Sequence, residues 1–158
     1  MAGMADTVIR PATDADLGAA ASLRWAWVLE YGVTPLIERD EFIARFTDWA
    51  RQNSSSHRCI VLARGDSVVG MAWLAITPRV PTPFALERAS GDVQCVYITP
   101  GERDSGHGGA LIETVLELAK ELELERVTVH STERAVSAYA RHGFDHSPHL
   151  LQAKLGDG

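Results

Sequence analysis

Between Val96 and Leu122 the chain reads VYITPGERDSGHGGALIETVLELAKEL. Its three parts differ in kind. A β-branched and aromatic run ends near Pro100, and four glycines (Gly101, Gly106, Gly108 and Gly109) crowd the middle. Leu111, Val115, Leu118 and Leu122 then recur at helical spacing. The order predicts a strand, a glycine loop and a helix. The first N–H groups of such a helix have no internal partner, and the helix dipole adds partial positive charge there. The unit therefore suits a phosphate or a diphosphate. Glycine lets the backbone approach the anion with no Cβ between them. Arg103 supplies a side-chain cation at the loop's mouth. Two familiar phosphate loops fail on spacing. A Walker loop needs Lys and Ser/Thr at its end, where Gly109 and Ala110 follow Gly108, and a dinucleotide fingerprint wants a small residue where Leu111 stands. Glycines that merely make a tight turn are the plainer alternative, so the flanks must decide.

Upstream, TVIRPAT predicts a short strand, and Thr13-x-x-Asp16 a variant capping box opening a helix from Asp14 to about Glu30. Thr34 with Pro35 behind it predicts the start of a second helix, striped by Phe42, Phe46 and Trp49. The segments RCIVLA and VVGMAWLAI, joined by RGDS, predict a hairpin between Cys59 and Ile76. Three prolines between Thr77 and Gly91 predict a long loop. DVQCVYI reads as a strand buried on both faces, RVTVH as another strand, and TERAVSAYARH as a helix stopped by Gly143. HLLQAKL reads as a last strand, with a further short strand near Phe144 an option. The sum is a mixed α/β sheet in a single domain spanning residues 1–158.

Composition narrows the function. The 158 residues are 46% hydrophobic, enough for one core. With 15 Lys+Arg against 21 Asp+Glu the formal charge is −6, and no basic tract points to nucleic acid. An acidic balance mildly suits a cationic substrate. Cys59 and Cys95 match no metal spacing and read as buried reduced thiols. His142, His146 and His149 cluster in sequence, but Gly143 interrupts them and no metal site is expected. His107 reads as an exposed loop position. MAGMADTVIRPA has no apolar signal core and no run approaches a membrane span, so the expectation is a cytoplasmic protein with no membrane partner.

Arg103-Asp104-Ser105-Gly106-His107-Gly108 matches the R/Q-x-x-G-x-G/A signature of the GCN5-related N-acetyltransferases, the GNAT family. VYITP resembles that family's approach to the loop. STERAVSAYARHGF resembles its second signature, with Ala135, Tyr139, Gly143 and Phe144 in register. The resemblance covers nearly the whole chain. It implies the acyl-CoA N-acyltransferase fold: a mixed, mostly antiparallel sheet flanked by about four helices. It further implies acetyl-CoA as cosubstrate, no metal, and an acceptor that is a small-molecule or peptide amine. Oligomeric state stays open, with a homodimer among the options.

By the same resemblance, the diphosphate belongs on the backbone from Arg103 through Asp104, Ser105, Gly106, His107 and Gly108 to Gly109. The pantetheine arm pairs with Val96, Tyr97 and Ile98 like an added strand. A backbone N–H near Val96 or Tyr97 polarises the thioester carbonyl. Thr132 stands where an asparagine is common, and Asp104 where a glycine is, which puts a side-chain contact at the first in doubt and an extra acid beside the diphosphate at the second. Tyr139 takes the general-acid position, against the plainer reading of a core aromatic. Asp92, opening the strand before the loop, is the candidate base; strand alternation puts it on one face with Gln94 and Val96 unless a bulge intervenes. Its plainer reading is a solvated acid. Glu30, Glu38 and Glu87 are alternatives. Trp27, Glu30 and Glu87 lie on elements that usually line the acceptor pocket. Three functions stay in play: an acetyltransferase, a non-catalytic acyl-CoA-binding regulatory module of the same fold, and an unrelated nucleotide enzyme.

Overall fold

A computed structural model describes residues 6–156 of the chain; the single-domain expectation extends over residues 1–5 and 157–158, which lie outside them. Strand β1 (Thr7–Pro11) leads through a short 3-10 turn, Asp14–Asp16, into helix α1 (Leu17–Glu30). Asp16 fixes that entrance. Its carboxylate accepts the Thr13 N–H at 2.7 Å and a fork from Arg10 at 2.6 and 3.1 Å. The Arg10 hydrogen bond, aided by Thr13, holds the Asp16 carboxyl well below the usual carboxylate range.

Helix α2 (Arg39–Gln52) starts later than Thr34 and Pro35 predict, with Glu38 extended at its cap. The reason is packing. Leu36 is fully exposed and meets no partner surface, whereas Phe42 and Phe46 reach Trp25 and Trp73 at ring separations of 5.8 and 5.6 Å. Periodicity holds a helix only where its stripe is buried.

The sheet runs β1-β2-β3-β4-β5 in spatial as in chain order. Strands β2 (His57–Arg64) and β3 (Ser67–Arg79) form the expected hairpin. The long loop is shorter than predicted: Thr77 pairs with Ser90, Pro78 with Ala89 and Arg79 with Arg88, so β4 (Arg88–Ile98) begins before Gly91. Pro78 is tolerated because it lies next to the end of its strand, where one missing N–H costs little. The Arg88–Glu125 ion pair at 2.8 Å pins that end.

Helix α3 (His107–Glu121) packs Leu111, Val115 and Ala119 on one face of the sheet, with Leu62, Leu74 and Val93. Helices α1 and α2 cover the other face over Met71, Trp73 and Tyr97. Strand β5 (Val127–Val129) joins β4 in parallel, and helix α4 (Val136–Arg141) follows. The result is a mixed, mostly antiparallel five-stranded sheet with four helices.

One expected strand, and one offered only as an option, are absent from the described residues. HLLQAKL forms no strand, and neither does the chain at Phe144. Strand β5 offers only three residues as a template, and Leu150, Leu151 and Leu155 remain exposed. Strand β4 is not uniformly buried on both faces either, since Gln94 is exposed. No helix among the described residues is long and apolar enough to cross a membrane.

Candidate active site

Strand β4 carries the feature that shapes the site. Its register against β3 jumps from Trp73↔Gln94 to Met71↔Tyr97, and Cys95 takes φ 54. This is a bulge. It corrects the expected alternation: Asp92 does not share a face with Val96. Val93, Val96 and Ile98 pack on the α3 side, while Cys95 and Tyr97 pack on the α1 side. On its other edge β4 pairs with β5 only over Gly91–Val93. Past Val93, among the described residues, no strand pairs with that edge of β4, which leaves Val96, Tyr97 and Ile98 without a strand partner there.

Strand β4 leads into the glycine loop. A short turn, Pro100–Glu102, brings Glu102 onto Arg64, which forks it at 2.8 and 2.8 Å. Arg64 holds the Glu102 carboxyl below its usual range, and His107 Nε2 stands 3.7 Å away. His107 is therefore half-buried, not the exposed position its loop setting predicts. Asp104 and Gly106 both adopt left-handed backbone, at φ 65 and 82. The first bond of α3 runs from the Ala110 N–H to the Gly106 carbonyl at 3.2 Å, so His107, Gly108 and Gly109 keep their N–H groups free of the helix. A Cβ built at Gly106 or Gly108 meets nothing within 4 Å, so the space beside the backbone there is open. At Gly109 it would come within 3.0 Å of His142 Nε2, so there the glycine serves the approach of α4. Asp104 and Ser105 are exposed at the loop's rim.

Tyr139, on α4, is buried and meets Phe144 edge-on at 5.3 Å. Burial pushes its hydroxyl pKa up. The hydroxyl has no hydrogen-bond partner among the described residues. Every fully buried side-chain polar atom there does have one, so this hydroxyl is not fully buried. The cleft is about 700 Å³ and lies between α3, β5 and α4, with Val129, His142 and Phe144 among its walls. Thr132 is exposed at the turn before α4.

Asp92 sits where β4 and β5 are still paired. It accepts the Thr128 hydroxyl at 2.8 Å and the Gln94 amide at 3.0 Å. Glu87 is exposed on the β3–β4 loop and Glu38 at the start of α2, both apart from the cluster that gathers around Tyr97. In that cluster Trp27 stacks on Tyr97 at 5.7 Å, and the Tyr97 hydroxyl donates to Glu30 at 2.6 Å. Arg103 forks the same carboxylate at 3.0 and 3.0 Å. Burial, followed by Glu30, pushes the Tyr97 hydroxyl up to about 12. The Arg103 side chain thus points back to α1. Sequence reasoning named these four residues separately and gave no sign of their meeting. Glu102, the loop's anchor, it missed, because a bare Glu beside Arg103 carries no signal of a partner on β2.

Both cysteines are free, and burial pushes the Cys59 thiol up to about 12, which makes it a poor nucleophile. Among the described residues no group of three or more His, Cys, Asp or Glu side chains converges as a metal site.

The chain's relatives place this arrangement in a family. The model of the acetyltransferase (GNAT) family matches residues 21–144, and the chain belongs to that family, whose members generally transfer acetyl groups from acetyl-CoA. A predicted acetyltransferase from Clostridium acetobutylicum, solved with acetyl-CoA, superposes with a TM-score of 0.77 at 16% identity, over 94% of this chain and 96% of that one. An acetyltransferase from Trypanosoma brucei gives 0.71 at 25% identity, over 95% and 100%. A GCN5-related N-acetyltransferase from Ralstonia eutropha gives 0.73 at 23% identity, over 96% and 100%. No curated protein matches the sequence.

Proposed function

We propose that the protein is an N-acetyltransferase that moves the acetyl group of acetyl-CoA to a primary amine of a small molecule or peptide, by direct attack in a ternary complex. The observation that carries this reading is the junction of an unpaired β4 edge with a helix whose first N–H groups are unused. An arm able to pair like a strand fits the edge at Val96, Tyr97 and Ile98, and a diphosphate fits the open cradle at Gly106 and Gly108. A backbone N–H of the bulged segment near Val96 or Tyr97 would polarise the thioester carbonyl.

The residues then divide the proton work. Attack needs a neutral amine, and Asp92, directly or through water, accepts its proton; Thr128 and Gln94 orient that carboxylate. The departing sulfur of CoA takes a proton from Tyr139. Burial keeps that hydroxyl protonated through neutral pH, as an acid requires, and with no partner among the described residues it is free to donate. Trp27 and Glu30 border the acceptor side, with Glu87 on the outer loop. The test is thiol release from acetyl-CoA over a panel of amines. Binding of acetyl-CoA with no thiol release for any amine would instead support a non-catalytic acyl-CoA-binding module.

A further inference from the structure

Arg103 begins the glycine loop, yet its guanidinium is spent elsewhere. Its Nε donates to the Ile98 carbonyl at 2.9 Å, and its Nη2 reaches both oxygens of Glu30, the last residue of α1. We propose that Arg103 is shared between two anions. In the free protein it neutralises Glu30; with the diphosphate of acyl-CoA in the loop it passes to that diphosphate. Glu30 is then uncovered as the carboxylate that takes the ammonium of the acceptor. The inference rests on reading the loop as a diphosphate site.

Three observations favour the exchange. The Arg103–Glu30 pair is exposed, at 42% and 34% of the two side chains, and exposed ion pairs are weak. An arginine on a phosphate is among the strong charge-assisted contacts. The competition therefore favours the diphosphate once it is bound. Second, Glu30 does not collapse when Arg103 leaves. Its Oε1 stays fixed by the Tyr97 hydroxyl at 2.6 Å, while Oε2 loses its only partner among the described residues. Third, the surroundings suit a cation. Glu30 ends α1, where the helix dipole is negative and a second negative charge is unfavourable until a cation arrives. The Trp27 ring beside it is already engaged, with Arg24 over it at 4.6 Å and Tyr97 stacked on it at 5.7 Å, so the Glu30 carboxylate itself is the group offered to a cation. The acceptor class is thus an alkylammonium that docks after acyl-CoA.

Calorimetry with CoA on four proteins tests the exchange: wild type, Glu30→Gln, Arg103→Ala and the double variant. Glu30→Gln keeps an acceptor for the Tyr97 hydroxyl and removes only the competing charge. It should tighten CoA about two- to fivefold, the range an exposed ion pair sets. Arg103→Ala should weaken CoA, and Glu30→Gln should then add nothing. A gain that persists without Arg103 is through-space repulsion and overturns the exchange; so does unchanged or weaker CoA binding by Glu30→Gln. The acceptor half is read with 1,5-diaminopentane. It should bind wild type more tightly with saturating CoA than without, and lose that coupling in Glu30→Gln. Equal binding with and without CoA, or none, overturns this half. Wild type that binds no CoA removes the reading beneath the proposal, whereas CoA binding insensitive to Glu30 removes the exchange alone.

Discussion

Replacing Tyr139 by Phe separates chemistry from packing. The ring is buried and edge-on to Phe144 at 5.3 Å, and Phe retains both properties. The lost hydroxyl has no partner among the described residues, so no hydrogen bond is broken. Stability should change by less than about 1 kcal/mol, a few degrees in Tm for a domain of this size. Alanine would be a poor test, since a buried ring removed from a core costs about 3–5 kcal/mol. If Tyr139 protonates the departing CoA sulfur, kcat should fall about 10²–10⁴-fold, which is roughly 3–5 kcal/mol of barrier. Acetyl-CoA binding should stay near wild type. Burial raises the Tyr139 pKa above its ordinary value, so the acid form persists, and activity depending on it is lost only as pH rises through that raised value. Between about pH 7 and 9 wild type should show no decline from this group. The assay is initial-rate thiol release beside a thermal melt, repeated with a thioester whose leaving thiol has a lower pKa, where the deficit should shrink. Unchanged turnover in a stably folded Phe variant refutes the role and leaves Tyr139 a core aromatic.

Three further outcomes follow from the same geometry. Gly108→Val should weaken acetyl-CoA binding sharply without lowering Tm, because its Cβ meets no protein atom, whereas Gly106→Val should lower both, since φ 82 costs a side chain about 1–2 kcal/mol; calorimetry and melting separate them, and wild-type CoA affinity in Gly108→Val would place the cradle elsewhere. Asp92→Asn should lower turnover most at low pH, where the amine most needs a base, and an unchanged pH–rate profile would dismiss it. Asp16→Ala should cost about 2 kcal/mol by denaturant titration, through the lost cap and the stranded Arg10. The Asp16 pKa is depressed on folding, so its contribution is complete above the unfolded value near 4 and fades as pH falls toward the folded one; a variant whose deficit is the same at pH 7 and pH 2.5 would contradict this.

The parts of this molecule that speak in sequence are those where local chemistry and tertiary demand coincide. Thr13 and Asp16 announce a cap and form one, and the glycines after Ile98 announce a loop on a helix end. The bulge at Cys95 is silent, because cysteine has no preference for positive φ and the neighbouring strand imposes it. Thr34-Pro35 resembles a helix start, but the residues behind it find no surface to cover, and α2 waits until Arg39. Leu151, Ala153 and Leu155 alternate as a strand should, yet a strand needs a partner, which composition alone does not supply. The meeting of Glu30, Tyr97 and Arg103 spans 73 positions from first to last, and nothing local to any of them encodes it.

The three residue pairs that join β4 to β5 set a mechanical condition on the site. Strand β5 joins the sheet through a seam far shorter than the β3–β4 ladder beside it, while α4 is held from the other side by its approach to α3 at Gly109 and His142. Such a seam opens readily, and the amides of Val127, Thr128 and Val129 should exchange hydrogen faster than those of the central strands. A pantetheine arm on that edge would stiffen the seam. The general-acid candidate therefore stands beside the shortest ladder of the sheet, and an arm paired along β4 past Val93 should stiffen its surroundings.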